Sequence, residues 1–120
     1  MAKIIKKNLN NAPDGTRTFE KGKVEIASLS DVTIGRAELE PGWSWEKCIK
    51  PIAKTNSCEA PHTQYVISGR MKVVMDDATE EEFGPGDVGV VPPGHNAWIV
   101  GHEKFVAIDF TGMTIYAKNP

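Results

Sequence analysis

The chain has 120 residues, of which 40% are hydrophobic and 25% are charged, and its formal net charge is -2. This length and composition predict one globular domain over residues 1–120, large enough to bury a core without disulfides. The charge gives no electrostatic case for a nucleic-acid or membrane-surface partner. No run approaches the roughly 18 consecutive apolar residues that a membrane helix needs.

The cysteine count and the first residues bear on the compartment. Two cysteines, Cys48 and Cys58, are too few for a disulfide framework. The opening stretch, MAKIIKKNLNNAPDG, has lysines but lacks the apolar run of a secretory signal. We therefore expect a cytoplasmic protein with free thiols. Residues 1–15 are expected to be loose or to add an edge strand.

Short alternating apolar runs, rather than helical periodicity, follow one another along the chain. In chain order the predicted strands include VEIAS, VTI, QYVIS, RMKVVM, VGVV, WIV, KFVAIDF and MTIYA. Turn sequences such as EPGW, SGR, MDDATE, FGPGD, PPGHN and VGHEK separate them. The stretch PIAKTNS, residues 51–57, is predicted to be a loop. Eight or more strands at this spacing predict an antiparallel sandwich or barrel with almost no helix.

Four notable side chains have a structural interpretation. Asp87 lies in the turn GPGD, where we expect it to bond the backbone of its own turn. His102 lies in a predicted turn and should be exposed. Trp43 and Trp45 are two positions apart, so a strand would place them on one face, as core or as a subunit contact.

Two stretches together carry a family pattern. SCEAPHTQYVISGRMKVVM, followed by FGPGDVGVVPPGHNAW, resembles the two motifs of the cupin superfamily, G(X)5HXH(X)3–4E(X)6G and G(X)5PXG(X)2H(X)3N. Gly86, Pro92 and Gly94 match the second motif, and Gly69 falls on the last glycine of the first. The resemblance covers about residues 40–110. It implies an all-β fold, an antiparallel double-stranded β-helix or jelly-roll barrel.

The metal-ligand positions of that family are altered in this chain. In cupins the first motif supplies two histidines and a glutamate, the second supplies a third histidine, and all four hold one divalent metal inside the barrel. These positions fall here on Asn56, Cys58, His62 and Ala97. The resemblance therefore implies the cupin fold, but the residues of the family's usual metal site are absent from their positions.

A rebuilt site is one interpretation of the altered positions. Cys58 and His62 keep the parity of inward-facing residues, and His95 lies two residues before the missing third histidine, so strand alternation turns it inward as well. Thiolate and imidazole are ligands for zinc, iron, nickel or copper. The sequence thus offers Cys58, His62 and His95 as ligands of a divalent transition metal. Asn56 or Gln64 would add a weak oxygen ligand.

Three functions from different classes stay open at this point. The first is a metal-dependent enzyme, which by family resemblance would be an oxygenase, an isomerase or a decarboxylase. The second is a metal-free binding or sensing barrel, whose small-molecule pocket would be lined by Asn56, Gln64, Met71, Val73 and Met75. The third is a thiol role for Cys58, with His62 or His95 removing its proton.

The resemblance also implies an oligomeric state, because single-domain cupins usually pair. We expect a homodimer in which GWSW and the N-terminal segment supply apolar strand surface for the contact.

Overall fold

The structure is a computed structural model that describes residues 3–11 and 13–113, which form two antiparallel β-sheets. The elements are β1 (Gly15–Phe19), β2 (Gly22–Leu29), β3 (Val32–Leu39), α1 (Trp45–Cys48), α2 (Lys50–Ala53), β4 (His62–Ser68), β5 (Arg70–Met75), β6 (Glu80–Phe83), β7 (Val88–Val91), β8 (His95–Val100) and β9 (Phe105–Asp109). Nine strands and two four-residue helices in these residues confirm the predicted all-β fold. The predicted strand MTIYA begins at Met113, and the rest of it lies outside the described residues.

The two sheets face each other across one core. The larger has the strand order β1-β2-β3-β9-β4-β7 and the smaller has the order β6-β5-β8. In β5, Met71 and Val73 are buried, and in β9, Phe105 and Ala107 are buried, each separated by a half-buried neighbour. Side chains of both inner faces join in a single hydrophobic cluster. The period-two pattern of the sequence therefore reports which face of each strand turns inward.

The segment GWSW is not a strand. The Ser44 hydroxyl accepts a hydrogen bond from the Lys47 backbone N–H at 3.3 Å and caps α1. Ser44 also forms an isolated β-bridge with Trp98. The prediction that Trp43 and Trp45 share one face of a strand is therefore wrong, because a helix begins directly after Ser44. Trp43 and Trp45 are each 2% exposed, so both belong to the core.

The stretch after α1 is partly helical. Pro51 lies in the first turn of α2. A backbone N–H in the first turn has no partner within the helix, so the N–H that proline lacks is not needed there. Lys54, with φ of 60°, ends the helix in a left-handed conformation. The predicted loop over residues 51–57 is thus wrong for residues 51–53 and holds for residues 54–57.

Two other local predictions, those for Asp87 and His102, are confirmed. The Asp87 carboxylate accepts a hydrogen bond from the Gly84 N–H at 2.7 Å across its own turn. His102 is exposed between β8 and β9. Residues 3–11 form no strand, and the edge strand β1 begins at Gly15. Neither described helix is long and apolar enough to cross a membrane.

Candidate metal centre

A β-bridge brings Cys58 next to His95. The Cys58 N–H donates to the His95 carbonyl at 2.7 Å, and the Gly94 N–H donates to the Cys58 carbonyl at 2.8 Å. Residues that face each other in an antiparallel bridge project their side chains to the same side. His62 is the first residue of β4, on the facing sheet. The fold therefore gathers three residues that lie four and 33 positions apart in the sequence.

The three side chains converge on one interior volume. Cys58 Sγ lies 3.8 Å from His62 Nε2, and the two imidazole rings are 5.2 Å apart at 66°. One ligand atom from each of Cys58, His62 and His95 lies within 4.8 Å of the others. The His62 side chain is 11% exposed, and Cys58 and His95 are each 4% exposed. The cluster is thus shielded from bulk water.

Both histidines use the same ring nitrogen for an outer contact. His95 Nδ1 lies 2.7 Å from the Pro92 carbonyl oxygen, which can only accept, so this nitrogen carries the proton. His62 Nδ1 donates to Asp109 Oδ2. Outer partners of this kind fix the tautomer and the orientation of metal-binding histidines. With Nδ1 engaged, Nε2 is the atom that each ring can offer to a metal.

The cluster shifts the pKa values of two of its members. Burial raises the pKa of the Cys58 thiol, but hydrogen bonds from His62 and His95 and their charges outweigh burial and lower it from 9.0 to about 6. Burial lowers the pKa of His62, but hydrogen bonds to Asp109 and Cys58 outweigh it and raise that pKa from 6.5 to about 9. Around neutral pH the pair is therefore a thiolate beside an imidazolium.

Asp109 is a site residue that the sequence reasoning missed. It ends β9, is 4% exposed, and accepts a hydrogen bond from the Thr111 N–H through Oδ1 at 2.9 Å and from His62 through Oδ2. The alternation of FVAID carried the signal, because it places Asp109 on the same face as Phe105 and Ala107. An acid at the buried end of an apolar face requires a partner.

A cavity of about 40 Å³ adjoins the cluster. Of the predicted pocket residues, Gln64, Met71 and Val73 line it. Asn56 does not, because it lies exposed on the loop over residues 54–57, where strand alternation does not apply. Met75 does not either, since it lies at the turn end of β5, half-buried against the core. Asn56 and Met75 thus lie away from this cavity, and the binding of a small molecule by the five residues stays a prediction.

Comparison with protein-family models and with curated proteins finds no match. Solved structures do match. A protein of unknown function from Rhizobium leguminosarum bv. viciae 3841 is 20% identical with a TM-score of 0.60, over 92% of this chain and 97% of that one. A protein with a double-stranded β-helix domain from Klebsiella pneumoniae is 17% identical with a TM-score of 0.55, over 81% and 76%.

The Bacillus subtilis oxalate decarboxylase, described with Mn(II) centres, is 26% identical with a TM-score of 0.55 over 87% of this chain. This chain spans 28% of the length of that enzyme, and 32% of the length of the oxalate decarboxylase from Lactobacillus farciminis. The protein therefore has the cupin-type double-stranded β-helix fold, as predicted. Within that fold all four ligand positions are altered: Asn56, Cys58, His62 and Ala97 lie where the family has histidine, histidine, glutamate and histidine, in that order.

Proposed function

We propose that this protein binds one divalent transition metal inside its barrel through Cys58 Sγ, His62 Nε2 and His95 Nε2. The observation that carries the proposal is the outer bonding of the two histidines, which directs Nε2 of each ring to the cluster that contains the thiol. The 3.8 Å between Cys58 Sγ and His62 Nε2 is close to the separation of about 3.6 Å that tetrahedral zinc geometry gives for one sulfur and one imidazole ligand.

The donor set favours some metals over others. One thiolate and two imidazoles suit zinc, iron, nickel or copper, whereas manganese prefers carboxylate and water oxygens. The Mn(II) centres named for the Bacillus subtilis enzyme are therefore a poor guide to this chain. A metal held by three protein ligands keeps a position for water or substrate and supplies Lewis-acid chemistry there. Fold similarity does not carry the decarboxylase reaction to this chain.

The pKa values of Cys58 and His62 determine how many protons metal binding should release. Near pH 7.5 the thiol of Cys58 is already ionised, since its pKa is about 6, whereas His62 still holds a proton, since its pKa is about 9. Binding then displaces one proton, so zinc affinity should rise about tenfold per pH unit between these two values. Below pH 6 the thiolate is lost and the slope should steepen.

Isothermal titration of the metal-free protein with zinc, in buffers of different ionisation enthalpy, counts the protons released. The expected count near pH 7.5 is about one per metal, from His62. Heats that show no uptake of zinc would contradict the proposal. A count near zero would mean that zinc binds without His62.

A second candidate function is thiol chemistry at Cys58 in the metal-free protein. The chain of contacts from Asp109 through His62 to Cys58 orients an imidazole against a thiol, as in cysteine nucleophiles. The thiolate would attack a small electrophile that reaches the three-residue cluster, forming a sulfur–carbon bond as the leaving group departs. Alkylation of a Cys48→Ala variant by iodoacetamide tests this, because Cys58 is then the one thiol. Bound zinc should protect it.

We also propose that the protein forms a homodimer, through a surface other than the predicted GWSW segment. Since Trp43 and Trp45 are buried, GWSW cannot supply it. The outer face of β4 and of the edge strand β7 exposes four apolar side chains, which we call the β4–β7 patch: Tyr65, Ile67, Val88 and Val90. No member is charged, so two copies can meet across a twofold axis without like-charge repulsion. The cytoplasmic location likewise remains a proposal.

Charge on the patch should separate the subunits. We expect wild-type protein to scatter light as a particle of twice the chain mass, and a Val88→Asp, Val90→Asp variant as a monomer, because a contact core tolerates few unpaired charges. Val32→Asp, at an exposed valine outside the patch that is 42% exposed against 72% for Val88 and 70% for Val90, is the control and should stay dimeric. A monomeric wild type at tens of micromolar would refute the proposal.

A further inference from the structure

Three residues that line the cavity carry a buried side-chain N–H group with no acceptor within the described part of the chain. The groups are Trp43 Nε1, Trp45 Nε1 and Gln64 Nε2. The residues are 2%, 2% and 7% exposed. Buried polar groups are paired in the great majority of cases, and each exception needs an explanation. Three exceptions around one cavity point to a ligand that supplies the acceptors.

The clustering is specific to the cavity. One further buried side-chain nitrogen without a partner exists in residues 3–11 and 13–113, namely Arg36 Nε. That guanidinium does not line the cavity and already donates to Glu25 through Nη2 at 2.9 Å. Of the four buried, unpaired side-chain nitrogens in the described residues, three therefore belong to residues that line this one cavity.

The chemistry of these groups defines the ligand's polar end. An indole N–H can only donate, and the Gln64 NH₂ group also donates. A carboxylate is an acceptor at every lone pair, and hydrogen bonds to an ionised acceptor are about twice as strong as neutral ones. The Asp109 carboxylate is bonded to His62 and to the Thr111 N–H, and it accepts from none of the three donors.

The size and lining of the cavity define the rest of the ligand. Its 40 Å³ has room for about three water-sized spheres, since one sphere takes roughly 10–15 Å³. A ligand of three or four heavy atoms fits that space. The remaining wall is largely apolar and includes Leu39, Met71, Val73 and Phe105. A carboxylate with a short alkyl group matches both the donors and the wall.

We propose that this cavity is a binding site for a short-chain carboxylate, held by the N–H groups of Trp43, Trp45 and Gln64. The inference deepens the proposed function by naming the ligand class of the cavity beside the metal ligands. The carboxylate proposal depends on the metal proposal only in that the two sites adjoin, because Trp43, Trp45 and Gln64 are not proposed metal ligands. Carboxylate binding therefore does not require metal, and either claim can fail alone.

Acetate is the probe, and the indole N–H groups are the readout. The chain has three tryptophans, so its ¹H–¹⁵N spectrum has three indole signals. Acetate added to ¹⁵N-labelled, chelator-treated protein at constant pH and ionic strength should move the Trp43 and Trp45 signals downfield and saturate. The dissociation constant should be about 1 mM or tighter for a four-atom ligand. Trp98, 40% exposed and outside the cavity, should not respond.

One variant tests the Gln64 donor. Gln64→Met keeps the side-chain length and removes the N–H donors, so acetate should bind about tenfold to hundredfold more weakly. Trp98→Phe, the matched control, should bind acetate as the wild type does and identifies the unresponsive signal. Acetamide, a neutral acceptor of the same shape, should bind about tenfold more weakly than acetate.

Several outcomes would overturn the inference. Indole signals that stay in place up to about 50 mM acetate, well above the expected dissociation constant, would show that water satisfies the donors. Equal movement of all three signals would show a bulk effect. Wild-type affinity in a folded Gln64→Met variant would remove Gln64 from the site. Metal analysis of the same samples separates these results from failure of the metal site.

Discussion

Elemental analysis of the His62→Ala variant should find less than about a tenth of the metal that copurifies with the wild-type chain, because two remaining protein ligands rarely hold a divalent ion. His62 is the ligand with the most extensive support, since Asp109 orients its ring and Nε2 lies 3.8 Å from Cys58 Sγ. Both proteins should be purified without a metal-binding tag and assayed for zinc, iron, nickel and copper.

His102→Ala is the matched control for this experiment. His102 is exposed on the turn between β8 and β9 and is not one of the clustered residues. Its removal should leave the metal content unchanged. Equal metal in His62→Ala and wild type would refute the assigned ligands. Loss of metal in both variants would point to adventitious binding by surface imidazoles.

The Gly69→Ala variant should lose about 2–5 kcal/mol of folding free energy, from a left-handed backbone and from steric overlap. Gly69 has a φ of +78° in the turn from β4 to β5. An added Cβ would lie 2.6 Å from Phe105 Cα and 2.7 Å from the Lys104 carbonyl oxygen, and backbone atoms cannot move aside cheaply. Because whole domains are stable by only about 5–15 kcal/mol, this loss should be visible as a large shift in the urea midpoint.

Gly86→Ala separates the two contributions. Gly86 also has a positive φ, +89°, but an added Cβ there would have no described atom within 4 Å outside its chain neighbours. This variant should lose only the conformational part, about 1–2 kcal/mol. Equal losses in the two variants would show that steric contact with β9 does not matter at Gly69.

Much of the fold could be predicted because strand alternation and turn sequences are local properties. RMKVVM and KFVAIDF show which residues face inward, and Gly69 in SGR and Gly86 in FGPGD mark turns that need positive φ. The errors arose where a local capping bond overrides alternation. The Ser44 hydroxyl starts a helix between two tryptophans, and no strand pattern includes such a cap.

The site was partly predictable for the same reason. Motif spacing singled out Cys58, His62 and His95, and the bridge between Cys58 and His95 brings the two stretches together. Asn56 was expected to face inward because the motif spacing was read as continuous strand alternation. Residues 54–57 form a loop, where that alternation does not apply. Asp109 lies 47 positions after His62, and only the pairing of β4 with β9 makes them neighbours. Contacts between distant strands are set by the assembled sheet.

X-ray absorption spectroscopy of the metal that copurifies with the tag-free protein examines the ligands of the proposed centre themselves. We expect about one metal per chain, with a sulfur ligand at about 2.3 Å and imidazole nitrogens at about 2.0–2.1 Å. The sulfur should disappear in Cys58→Ser, since Cys48 is not among the clustered residues. A protein without metal, or a metal surrounded only by oxygen and nitrogen, would contradict the proposed centre.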